Sequence, residues 1–245
     1  MNFVALLALA LAPGVAIAIY IYLKDKHERE PVHLLLISFF YGTLSTVITF
    51  GLSYPLNIFF LTEEDNVVDQ FFNAFLKVAL IEEGSKFLFV RFVVYYNKNF
   101  NEPFDGIVYA VMVGMGFATI ENIFYVFEQG FLTGILRIFT AVPAHATFAV
   151  IMGYFIGRAK FIHRKKFLMS VIALASATII HGLYDYFWFI SYKPGLWIGG
   201  IFSLFLGFVL SRKAIHLHQD ASPFIIQESE ETKDLPEDDV PDNIT

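Results

Sequence analysis

Four stretches of this 245-residue chain carry ionisable side chains inside otherwise apolar sequence. The first holds Lys77, Glu82, Glu83, Lys86 and Arg91. The second holds Glu121 beside Asn122, the third Arg137 and His145, and the fourth His181 and Asp185. The chain has no cysteine, which excludes thiolate nucleophiles, disulfides and Cys-ligated metals. No serine stands out with a base beside it, so water is left as the nucleophile. A buried glutamate suits the general base for that water, and asparagine or histidine can donate to a developing oxyanion. Alternatively, histidines and a carboxylate could hold a divalent metal such as Zn2+ that activates the water. Both routes end in hydrolysis.

The elements that must position these groups are readable from spacing. Residues four apart lie on nearly one helical face. Gly106, Ala110, Gly114, Ala118 and Asn122 recur at that spacing, as do His145, Ala149, Gly153 and Gly157, and Ala173, Ala177, His181 and Asp185. Small stripes are where membrane helices approach closely. Each polar residue on such a stripe is therefore expected to point at a neighbouring helix. Glu82 and Glu83 diverge by about 100° on a helix, so one faces the site while the other is held by Lys86 or a neighbouring helix. Arg91, Arg137 and Lys77 are expected to reach for the membrane interfaces, and His216 and His218 to be solvated.

Composition identifies the solvent. The chain is 56% hydrophobic and only 16% charged, against about 25% charged in soluble domains. An ordinary cytosolic enzyme is ruled out, and no basic patch suggests nucleic acid. The expected fold is all-α, a polytopic transmembrane bundle of about seven spans: roughly 3–23, 32–61, 71–96, 106–127, 131–157, 167–190 and 195–211. Pro143 is expected to kink or unwind the fifth. The first segment reads as a retained helix, because charge follows it and does not precede it. With the N-terminus outside, the inner loops collect Lys24, Lys26, Arg29, Lys98, Arg158, Lys160, Arg164, Lys165, Lys166, Arg212 and Lys213, and the outer loops only Lys193. That asymmetry supports a cytoplasmic C-terminus. From the outer ends, Glu83 lies about 18 Å deep, His145 about 21 Å, His181 about 14 Å and Glu121 about 9 Å. Such depths point to one shared site and single out Glu83, His145 and His181 for substitution. The domains expected are a catalytic bundle, 1–211, and an acidic cytoplasmic tail, 212–245, disordered from about Asp220.

The chain resembles the PrsW family of intramembrane proteases, which is distantly similar to the CaaX-processing and bacteriocin-processing membrane proteases. Glu82-Glu83-Gly84-Ser85-Lys86 is similar to the family's EExxK motif, and Phe117 to Asn122 to its FxxxEN motif. His145 in Pro143-Ala144-His145-Ala146 matches the third motif, and His181 to Asp185 the final HxxxD. The resemblance implies an enzyme of the cell membrane that hydrolyses a peptide bond in or near the membrane segment of a membrane-anchored protein, such as an anti-sigma factor. It implies Glu82, Glu83, Glu121, Asn122, His145 and His181 as catalytic, with Lys86 and Asp185 supporting. A metal, if used, would sit on His145, His181 and Glu121. A proton-coupled transporter or a non-enzymatic membrane scaffold are the rival readings, since buried Glu, His and Asp also build proton relays.

Overall fold

The computed structural model describes residues 3–59, 62–162 and 165–225. These are helical throughout, in the order α1 (Phe3–Lys24), α2 (Val32–Phe59), α3 (Val67–Phe72), a π-helical stretch (Asn73–Ala79), α4 (Leu80–Phe92), a single 3-10 turn (Val94–Tyr96), α5 (Asp105–Gln129), α6 (Phe131–Phe139), α7 (Ala141–Phe161), α8 (Lys166–Phe189) and α9 (Trp197–Gln219). Among the described residues, six helical segments are long and apolar enough to cross a membrane: α1, α2, α5, the α6–α7 pair taken together, α8 and α9. The expected third span is a composite rod, α3 through α4, interrupted by the π-helical stretch and loaded with charge.

The centre of the bundle is α5, whose residues from Asp105 to Thr119 are all buried. A helix apolar all round must be enclosed by protein or lipid, and here α7, α2, α1 and α4 enclose it. Its glycines decide how closely. A Cβ on Gly106 or Gly153 would overlap the partner's backbone across the α5–α7 contact, and Gly42 and Gly116 do the same between α2 and α5. The small stripes on α5 and α7 thus face each other. Close backbone approach substitutes dispersion for a hydrophobic force that lipid does not supply. Large apolar residues such as Phe40, Phe50, Phe202 and Phe205 are exposed on the outer helices, where lipid would cover them.

Two breaks shape the site. Gly130, with φ +88°, ends α5 in a conformation that side chains rarely adopt and turns the chain straight into α6. At Thr140 (φ −121°, ψ −81°) α6 breaks from α7. Pro143 brings no N–H for the Phe139 carbonyl, so the expected kink is present, three residues before the proline. Pro13 and Pro55 also lie inside helices, in α1 and α2. The last span is longer than the apolar run 195–211 implied, because Arg212 and Lys213 continue α9 to Gln219. Those residues of the expected tail are therefore helical, and 226–245 lie outside the described residues. His218 is buried and stacked on Tyr154 at 4.4 Å, not solvated, while His216 is exposed as expected.

At the end of the bundle marked by Lys24, four carboxylates are buried together: Asp25, Glu30, Glu102 and Asp105. Asp25 accepts the Glu30 N–H at 3.2 Å, Tyr109 donates to Glu30, and Ser222 donates to Glu102. Burial pushes the Asp25 carboxyl up to about 7 and moves Glu30 and Glu102 in the same direction. A carboxyl raised in the folded state holds a proton that the unfolded chain has already lost. Stability is then lost as pH rises from the ordinary carboxylate range towards the folded value, and is flat above it. The thermal midpoint of purified protein is expected to fall by several degrees between about pH 5 and pH 8. Asp25→Asn should make that slope shallower, and a midpoint rising over the same interval would refute the assignment.

Candidate active site

Five elements deliver the polar residues to one place. Helix α4 brings Glu82, Glu83 and Lys86, α5 brings Glu121 and Asn122, α6 brings Arg137, α7 brings His145, and α8 brings His181 and Asp185. Lys86 is the hub. Its Nζ donates to Glu83 Oε1 at 2.7 Å, lies 3.6 Å from Glu82 Oε2 and 3.3 Å from His145 Nδ1, and sits 3.9 Å over the Phe117 ring. Ser85 Oγ shares a hydrogen bond of 2.7 Å with Thr49 Oγ1, which fixes α4 against α2.

His181 has a carboxylate at each ring nitrogen: Glu83 Oε1 is 2.9 Å from Nδ1 and Asp185 Oδ2 is 3.1 Å from Nε2. Phe148 stacks on its ring at 4.5 Å. The His145 ring stands perpendicular to it with centroids 5.3 Å apart. Nε2 of His145 is 2.8 Å from Glu121 Oε2, and the same oxygen accepts from Arg137 Nη2 at 2.7 Å. Arg137 Nε donates to Asn122 Oδ1 at 2.9 Å, and Asn122 Nδ2 donates to the Ala10 carbonyl at 2.9 Å. Both ends of the Asn122 amide are therefore occupied in bracing α1, α5 and α6.

A cavity of about 1420 Å³ opens onto this cluster. Its floor includes Glu82, Glu121, His145, His181 and Asp185, and its rim reaches Glu64 and Asp65 after α2 and Tyr192 after α8. Glu83 is not among the lining residues and is fully buried. The two adjacent glutamates thus divide as the helical geometry required, with Glu82 facing the cavity and Glu83 held by Lys86 and His181. That reverses the emphasis on Glu83 drawn from depth.

Glu82, His145 and His181 also place one ligand atom each within 4.8 Å of one another. This is the carboxylate-and-two-imidazole set that Zn2+ accepts. Glu121, expected among the ligands, is engaged by Arg137 instead. Arg137 was expected at an interface and lies at the site. The usable signal was its position just past the Gly130 turn, which folds α6 back along α5. Arg91 likewise reaches across to Ser170 Oγ at 2.9 Å, tying α4 to α8, while Lys77 donates to Thr62 Oγ1 at 2.7 Å in the loop after α2.

Comparison with known proteins bears directly on this cluster. The sequence model of the PrsW family intramembrane metalloproteases matches residues 30–211. Protease PrsW of Geobacillus kaustophilus (strain HTA426) is 38% identical over 192 residues, covering 78% of this chain and 82% of that protein. Protease PrsW of Bacillus subtilis (strain 168) is 36% identical over 165 residues, 66% of this chain and 73% of the relative. That of Clostridioides difficile (strain 630) is 33% identical over 178 residues, 69% and 73% respectively. No solved structure matches the chain.

Proposed function

Because the chain belongs to the PrsW family of intramembrane metalloproteases and is a membrane-embedded peptidase, we propose that it cuts a membrane-anchored protein at a bond lowered into the cavity beneath α2, α4, α5, α7 and α8. The observation that carries this reading is the placement of Glu82. Its carboxylate lines a cavity large enough for a peptide, with Oε2 3.6 Å from Lys86 Nζ and 3.9 Å from His181 Nε2 and no hydrogen bond to it among the described residues.

The same residues fit a divalent metal. Four carboxylates (Glu82, Glu83, Glu121 and Asp185) stand against two cations, Lys86 and Arg137. With neutral histidines that leaves two uncompensated negative charges, which a dication balances. Glu82, His145 and His181 would hold it, and when bound it would supply Lewis acidity and ease deprotonation of water. A ligating imidazole donates its other N–H to an oxygen acceptor, and both histidines have one ready: Glu121 beside His145 Nε2, and Glu83 beside His181 Nδ1.

The chain's own residues then do the following. Glu82 would take a proton from the attacking water and return it to the leaving amine. Arg137 lines the cavity, and its Nη1 makes no hydrogen bond among the described residues. That N–H donates to the oxyanion as it forms. Lys86 and Glu83 hold α4 in register, and Asn122 is a positioning residue for Arg137.

The cavity opens at the end opposite Lys24 and Lys213, which charge asymmetry assigns to the outer side of the cell membrane. The substrate class we infer from the family resemblance is a single-span regulator of the anti-sigma type, cut near its outer end. The test compares protein N-termini in membranes of cells holding the intact chain or His181→Ala, both inserted to equal levels. New termini within or beside the spans of anchored proteins are expected only with the intact chain. Equal sets of termini would overturn the reading.

A further inference from the structure

Helices α1 and α9 both lean on the α5–α7 core but do not pack along one another. The gap between them is a groove of about 530 Å³, lined by Tyr20 and Ile21 on one lip, Leu204 and Phe208 on the other, and Pro143 and Ala146 on the floor. It is separate from the catalytic cavity. Its lining is apolar except at one end, where Ser211 and Arg212 close it. Arg212 is exposed and forms no ion pair among the described residues. On the facing lip, Lys24 lies 5.5 Å over the Tyr20 ring.

Three observations select the occupant. An empty apolar groove in hydrocarbon forfeits the dispersion contacts of its walls, so something apolar fills it. Along α9 the groove runs from Ile201 to Arg212, about 16 Å, close to one leaflet of a core about 30 Å thick. One end carries the cation Arg212 in its lining, with Lys24 over the ring of the lining residue Tyr20. We propose that this groove binds one anionic phospholipid, its phosphate between Arg212 and Lys24 and an acyl chain along α9. The α1 wall lies outside the stretch matched by the family, 30–211. The site also has a route to the catalytic helix. Its floor is the back of α7, and Ser211 Oγ donates to the Thr147 carbonyl at 3.3 Å, two residues beyond His145.

The test is native mass spectrometry of the full chain in detergent, titrated with phosphatidylglycerol or phosphatidylcholine of equal chain length. One retained phosphatidylglycerol per chain is expected, with phosphatidylcholine lost at the same activation energy. Arg212→Ala should weaken phosphatidylglycerol retention about fivefold, the worth of one interfacial cation. Ala146→Phe, which fills the floor, should remove retention of phosphatidylglycerol, with an unchanged thermal midpoint as its folding control. Equal retention of the two lipids, or retention indifferent to both substitutions, would overturn the proposal. So would an Ala146-dependent dimer that excludes lipid, which would assign the groove to a second copy of the chain.

Discussion

Glu82→Gln is expected to reduce cleavage of a purified substrate by about three orders of magnitude, the worth of a general base, while the protein still inserts and folds. Glutamine keeps the volume and loses both the proton-accepting oxygen and the charge. Metal content per chain, read by elemental mass spectrometry, should fall in parallel, because Glu82 is the one carboxylate among the three residues placed to hold a metal. Glu83→Gln is the informative contrast. Glu83 is sealed away from the cavity, with Lys86 at 2.7 Å and His181 at 2.9 Å. Removing one partner of a buried ion pair costs about 3–5 kcal/mol, so this variant should show its main effect in thermal stability. Full activity in Glu82→Gln, or a larger catalytic loss with intact stability in Glu83→Gln, would exchange the two roles.

Arg137→Ala is expected to cost about 1.5–3 kcal/mol of stability, the worth of a hydrogen bond to a charged group, and most of the activity. The guanidinium binds Glu121 and Asn122 with two different nitrogens. Its loss leaves a half-buried carboxylate whose remaining hydrogen-bond partner among the described residues is His145. Arg137→Lys keeps the charge without the planar fork, and should recover part of the stability and little of the rate. The double change Arg137→Met with Glu121→Gln removes both charges together. It should restore the midpoint and not the cleavage, which separates a structural from a chemical role. A double variant that regains activity would reduce Arg137 to a counter-ion.

Much of the site was legible in the chain because its signals are local. Lipid-length apolar runs and small stripes are properties of single helices, and they marked Asn122, His145, His181 and Asp185 as facing neighbouring helices; the motif resemblance added Glu82, Glu83, Lys86 and Glu121 to the site. The stripe argument held because Gly106 and Gly153 meet backbone to backbone, a contact that larger side chains cannot make. Arg137 was missed for a related reason. Its partner lies across a turn, and an arginine near a span's end is ordinarily an interfacial residue. His218 was misread because α9 outlasts its own apolar run.

The order and type of the helices, the solvent they face and the residues able to do hydrolysis were determined by the sequence, since each depends on composition and on a period of about 3.6 residues. Which glutamate meets the cavity was decided only by the tertiary structure. Just before α4 the rod passes through the π-helical stretch Asn73–Ala79. A single-residue insertion of that kind turns everything downstream by about 100°, the same angle that separates Glu82 from Glu83. A regular helix assumed through that stretch cannot assign the two. The packing of α4 against α2, α5 and α8 does, burying Glu83 against Lys86 and His181 and turning Glu82 to the cavity.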